Sequence, residues 1–206
     1  DVPQEFVGVE AHRGDMVWSA AVPEELRSQA TAVIGNFPVS QAAQYTRLEW
    51  LQTFSAGVDA YICPGVLPRG TMVTNASGAY GQSVSEHMFA TMWALMKNLN
   101  RYASNQRDHQ WQDEGPVLSP EGGIALIIGV GDIGSHFAQL AQSVGMRTFG
   151  VRRHADVPAK GIEKMYGFER LETLLPLADV VAMAVPRSPQ THHLLNADRL
   201  GRLKST

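Results

Sequence analysis

Only one cysteine, Cys63 beside Pro64, occurs in the 206 residues, which leaves no internal disulfide framework and no zinc site built on paired cysteines. The chain therefore suits a reducing, cytoplasmic setting. An excess of charge is missing too: 17 Lys and Arg stand against 20 Asp and Glu, a formal net charge of -3. Without a basic footprint, neither nucleic acid nor an anionic membrane surface is expected as a partner. No apolar run approaches the roughly 20 residues that cross a bilayer, and Asp1 to Glu10 lack the basic-then-apolar layout of a signal peptide. An initiator Met is also absent, so the given start is not expected to be a translation start.

What is present is apolar content, 44% of residues, enough to bury the core of one large domain or two small ones. Val17 to Leu26 passes from an apolar stretch into Pro23-Glu24-Glu25, an acid-rich helix opening. Thr31 to Ile34, Leu48 to Phe54 and Met72 to Thr74 are short apolar runs that end in Gly35-Asn36, Ser55-Ala56-Gly57 and Asn75-Ala76-Ser77-Gly78. They predict buried parallel strands followed by loops, hence an α/β domain over residues 1–77. From Ser83 to about Gln106, Val84, Met88, Met92, Leu95, Met96 and Leu99 recur at helical spacing. One long helix over 83–106 is predicted, packed between domains, against a second subunit or simply in a core. Asp113 to Gly123, with two Pro and three Gly, reads as a linker.

The apolar strand Ile124 to Ile128 runs into Gly129-Val130-Gly131-Asp132-Ile133-Gly134, a GxGxxG pattern. Alone the pattern is weak, but Ile133, Phe137, Leu140, Ala141 and Val144 follow at helical spacing and Gly145 supplies a stop. In that context Gly129 permits the tight turn, Gly131 lets a pyrophosphate approach the backbone, and Gly134 lets the helix pack close. The helix N-terminus then presents free N–H groups to the anion. A purely structural glycine turn is the competing reading. The next strand, Arg147 to Val151, should end where an acidic residue binds ribose hydroxyls, yet Arg152 and Arg153 stand there. Guanidinium groups suit the 2′-phosphate of NADP(H), which is favoured over NAD(H); Asp156 could still serve NAD(H), and solvated surface arginines are the bland alternative. Val180 to Val185 predicts a third parallel strand whose loop, Pro186-Arg187-Ser188-Pro189, faces the ligand side of the sheet. Asn196 then caps a short helix, Ala197 to Leu203.

The blocks LEWLQTFSAGVDAY, GQSVSEH, IIGVGDIG and LADVVAMAVPRSPQTHHLLNADRLGRLK together resemble the D-isomer-specific 2-hydroxyacid dehydrogenase family, in order and over nearly the whole chain. Their flavour is similar to its NADP-preferring glyoxylate and hydroxypyruvate reductase branch. The resemblance implies two Rossmann-like or flavodoxin-like α/β domains with parallel sheets: a substrate domain over 1–77, incomplete at its N-terminus, and a cofactor domain over 78–206, incomplete at its C-terminus. It implies a homodimer and NAD(P)H-dependent reduction of small 2-oxo acids to D-2-hydroxy acids. Ala56 and Gly57 match the loop that holds the substrate carboxylate. Asp132 and Ile133 match the phosphate-contacting pair, Arg152 the ribose-binding position, and Val185 and Pro186 the cofactor-contacting strand end. The family's catalytic Arg, Glu and His map to no residue here and are expected after Thr206; substrate choice is expected to involve side chains around Tyr61 and Tyr80.

A residue-level weighing of the histidines agrees that none is the general acid. His87, His136, His192 and His193 are scattered, form no metal-ligand set and suit structural or surface roles, as does Glu86. Two alternatives stay open: a non-catalytic, dinucleotide-sensing corepressor-like regulator on the same scaffold, or an inactive fragment, because fold does not decide function.

Overall fold

The computed structural model describes residues 22–205. The apolar stretch expected from Val17 to Ala21 lies outside the described residues. The chain divides into two compact units, Asp1–Ser77 and Gly78–Thr206.

In the first unit, helix α1 (Glu24–Arg27) follows Pro23, and three short strands, β1 (Ala32–Ile34), β2 (Trp50–Gln52) and β3 (Met72–Thr74), form a parallel sheet in the order β1-β2-β3. The strand expected over Leu48 to Phe54 is confined to its middle. Leu51 and Val33 point into a core with Leu48, while Phe37 stacks on Tyr45 at 4.2 Å and meets Tyr61 edge-on at 5.3 Å. Tyr61, expected near the substrate, belongs to this core. It is 7% exposed, and its hydroxyl bonds both the N–H and the carbonyl of Phe37. A buried tyrosine needs such a partner, which here is local backbone.

The second unit opens with α2 (Gly81–Met96) and α3 (Leu99–Arg107), where one long helix is predicted by spacing. The break has a physical cause. Asn98 adopts φ 53°, ψ 29°, and the Met96 carbonyl accepts from the Leu118 N–H at 2.9 Å, so the following segment caps α2. Residues 108–123 carry no regular helix or strand. Then come β4 (Ile124–Ile128), α4 (Asp132–Ser143), β5 (Arg147–Val151), β6 (Lys164–Tyr166), α5 (Leu171–Leu174), β7 (Val180–Met183) and α6 (Ala197–Leu200). All strand pairs are parallel, in the order β6-β5-β4-β7.

Strand β4 shows why this sheet is central. Ala125 and Ile127 face a core shared with Met92, Met96, Phe137 and Ala141 of α2 and α4, whereas Leu126 and Ile128 face a second core with Phe149, Leu171 and Leu175. Alternate side chains enter opposite layers, so an uninterrupted apolar run is what a strand covered on both faces requires. Val180 onward, expected to be the third strand, is the fourth of this sheet. β6 intervenes; it is three residues, Lys-Met-Tyr, too short and mixed to register as a strand by periodicity. In order of appearance the sheet reads 3-2-1-4, with the reversal between β4 and β7, the place where open α/β sheets take ligands.

Candidate functional site: a glycine turn and a tethered loop

The turn after β4 meets β7 at that reversal. Gly129 has φ 92°, and a Cβ on it would collide with the Ala184 carbonyl and come within 2.8 Å of the Val185 side chain. Gly134 is equally confined, because an added Cβ would strike the Gly129 carbonyl. Gly131, between them, has nothing within 4 Å on its Cβ side. Two glycines thus close the turn while the third leaves backbone open at the N-terminus of α4. The Pro186 carbonyl accepts from Thr191 Oγ1 at 2.6 Å, and Ser188 N–H donates to the same hydroxyl at 2.9 Å, which fastens the loop after β7.

Two side chains in this region are committed elsewhere. The Asp132 carboxylate lies 3.3 Å from His136 Nδ1 and packs against Gly81, where a Cβ would collide with it. The Asp132 side chain therefore holds α4 to the start of α2. Arg152, read as a 2′-phosphate ligand, has its guanidinium on three carbonyls, those of His154, Val157 and Val130, the last at 3.4 Å. It ties the loop after β5 to the glycine turn, and Arg153 is left exposed beside it. Sequence reading missed Ser135, Gln139 and Lys160, which with Asp132, His136 and Pro158 line an open groove of about 400 Å³ on the outer side of α4. That groove does not include Gly129 or Gly131, which lie at the strand-order reversal instead.

In the first unit, the loop Ser55-Ala56-Gly57 leaves β2 with each carbonyl engaged. Ser55 O accepts from Thr53 Oγ1 at 2.7 Å, Ala56 O from Asn75 Nδ2 at 2.8 Å and Gly57 O from Ser55 Oγ at 2.8 Å. Asn36 Oδ1 in turn accepts from the Phe54 N–H at 3.0 Å. Thr53, Asn36 and Asn75 escaped sequence reading because they lie on three separate strand ends that only the sheet brings together. Their position just after apolar runs was the one available signal.

His136 Nδ1 lies 2.9 Å from the Asp132 carbonyl, and His192 and His193 pack edge-on at 3.9 Å on the exposed surface. Among the described residues, no group of three or more His, Cys, Asp or Glu is placed to hold a metal ion. Nor is any helix among them long and apolar enough to cross a membrane.

With the turn and its strand order in hand, the match to known proteins is specific. Residues 89–206, more than half of the chain, match the model of the D-isomer specific 2-hydroxyacid dehydrogenase, NAD binding domain. The chain belongs to the D-isomer specific 2-hydroxyacid dehydrogenase family. A solved member, the family protein from Aeromonas salmonicida subsp. salmonicida, superposes with a TM-score of 0.78 at 30% identity, over 88% of this chain and 58% of that one. The glycerate dehydrogenase of Methylorubrum extorquens is 26% identical over 192 residues, 89% of this chain and 58% of its own length. The glyoxylate reductase of Thermofilum pendens is 28% identical over 168 residues, 77% of this chain and 48% of its own length. This family member thus spans about half to three-fifths of such relatives. It carries the family's α/β architecture and its nicotinamide dinucleotide-binding domain.

Proposed function

We propose that the whole protein reduces small 2-oxo acids of the glyoxylate and hydroxypyruvate kind to D-2-hydroxy acids, with NADP(H) as the favoured cofactor and NAD(H) accommodated. The observation that carries this reading is the glycine turn, in which Gly129 and Gly134 admit no side chain and Gly131 leaves open backbone at the N-terminus of α4. An anionic pyrophosphate fits that opening, and the helix dipole favours it. The substrate class follows the relatives, a glycerate dehydrogenase and a glyoxylate reductase among them.

When bound, the nicotinamide supplies the hydride that reduces the substrate carbonyl carbon. The work of this chain is to bind and orient. The N–H groups of Gly131, Asp132 and Ile133 hold pyrophosphate. Val185 and Pro186 border the nicotinamide side. Arg153 reaches the 2′-phosphate, with Arg152 as the strap that positions its loop. Ala56 and Gly57 N–H groups hold the substrate carboxylate. The Arg, Glu and His of the family's chemistry belong, on this reading, to the remainder of the whole protein. The whole protein is read as a cytoplasmic homodimer; Val84, Leu95 and Leu99, exposed on α2 and α3, support a second subunit as their cover.

The test is NADPH oxidation by the whole protein with glyoxylate and hydroxypyruvate, alongside NADPH binding by fluorescence. Turnover with either acid supports the reductase. Tight NADPH binding without turnover on any small 2-oxo acid would sink it and favour a dinucleotide-sensing regulator.

A further inference from the structure

A trans peptide plane points its C=O and its N–H in opposite directions, so anchoring one aims the other. None of the peptide bonds among the described residues is cis. In the loop after β2, the Ser55 carbonyl is held by Thr53 Oγ1 and the Ala76 N–H, the Ala56 carbonyl by Asn75 Nδ2, and the Gly57 carbonyl by Ser55 Oγ. Each of these three consecutive planes is thus anchored through its carbonyl, and the N–H groups of Ala56, Gly57 and Val58 point away from their own plane's anchor. Successive N–H groups aimed to one side form an anion-binding concavity.

We propose that Asn75 is a positioning residue which sets the Ala56–Gly57 plane, so that Ala56, Gly57 and Val58 present three N–H groups as one cradle for a carboxylate. This rests on the carboxylate reading above and deepens it, adding Val58 as a donor and Asn75 as the group that aims the cradle. Asn75 is suited to the task because both ends of its amide are employed. Its Nδ2 donates to the Ala56 carbonyl at 2.8 Å, while its Oδ1 accepts from the Ser77 N–H at 3.2 Å, which locks the amide against rotation. Thr53 is the second anchor: fully buried, it reaches the Ser55 carbonyl at 2.7 Å.

The experiment compares the whole protein with its N75A and T53V variants, the second being isosteric and so the safer of the two for folding. Oxalate, a carboxylate without a reducible carbonyl, is the probe. Loss of one anchoring hydrogen bond is expected to raise the oxalate inhibition constant and the KM for glyoxylate about tenfold in N75A. NADPH affinity should stay within about twofold, because the anchors sit in the first unit. The amide NMR signals of Ala56 to Val58 should move. Unchanged oxalate inhibition in both variants overturns the proposal, as does a parallel loss of NADPH affinity, which would mark a general folding defect. If the unsubstituted protein ignores oxalate, the carboxylate reading fails on its own. The amide signals then decide the positioning role: shifted signals in N75A uphold it, unmoved ones overturn it.

Discussion

Gly131 and Gly134 stand three residues apart in one motif and answer to different constraints. A Cβ at position 134 would collide with the Gly129 carbonyl, whereas one at 131 enters open space. Gly134→Ala should therefore lower the melting temperature and abolish dinucleotide binding together, at a cost of about 1–3 kcal/mol for the overpacked contact. Gly131→Ala should leave thermal unfolding nearly unchanged yet, on the proposed reading that the pyrophosphate approaches this backbone, weaken NADPH binding at least tenfold; fluorescence titration and a melting curve separate the two. The adjacent arginines divide in the same manner. Arg152 is tied to three carbonyls, one of them in the glycine turn, while Arg153 is exposed. Replacing Arg153 with Ala should weaken NADPH more than NADH, because only NADPH carries the 2′-phosphate. Replacing Arg152 should weaken both. An unchanged ratio of the two dissociation constants in R153A would remove Arg153 from phosphate recognition.

Among elements, the break between α2 and α3 was invisible to periodicity because Leu95, Met96 and Leu99 keep helical spacing across it. Hydrogen bonding decided it: the Met96 carbonyl takes the Leu118 N–H, and Lys97 Nζ donates to the Leu118 carbonyl at 2.7 Å. Asn98 carries the resulting left-handed residue. Asn98→Ala should cost about 1 kcal/mol by thermal unfolding, whereas Asn98→Gly should be close to neutral. A second joint lies at the start of β7. Burial pushes the Asp179 carboxyl up, but the Lys204 ammonium and the Ile124 N–H, at 2.6 and 2.7 Å, outweigh it and hold the group below its ordinary value. The folded carboxyl thus binds its proton less readily than the unfolded one. Its contribution is complete above the ordinary Asp range, near pH 4, and is lost as pH falls through the lower folded value. Asp179→Ala should destabilise at neutral pH, with the gap to the unsubstituted protein closing under acid; a gap that stayed constant down to pH 2 would show that the charge plays no part.

For the whole molecule, two units of one chain share a division of labour that neither performs alone on the proposed reading. The first tethers a loop for the substrate carboxylate; the second carries the glycine turn. A polypeptide of these 206 residues should bind NADPH but leave glyoxylate unreduced, whereas the whole protein should turn it over, as mass-verified preparations in one NADPH oxidation assay would reveal. Turnover by the 206-residue chain would place the general acid among residues present here.

By itself the sequence determined the parallel α/β class, the strand Ile124 to Ile128, the turn Gly129 to Gly134 and the short helix capped by Asn196, whose Oδ1 accepts from the Arg199 N–H. These are local: each depends on residues within a few positions, through pleat period, glycine geometry or a cap. The tertiary structure alone decided that Arg152 bonds three carbonyls, that Tyr61 is core, that Lys164 to Tyr166 is a strand, and that Asn36, Thr53 and Asn75 meet at one loop. Each of those depends on partners some 20 residues away or on neighbouring strands. A side chain's role is set by what folding brings within hydrogen-bond reach, and spacing along the chain carries no record of that.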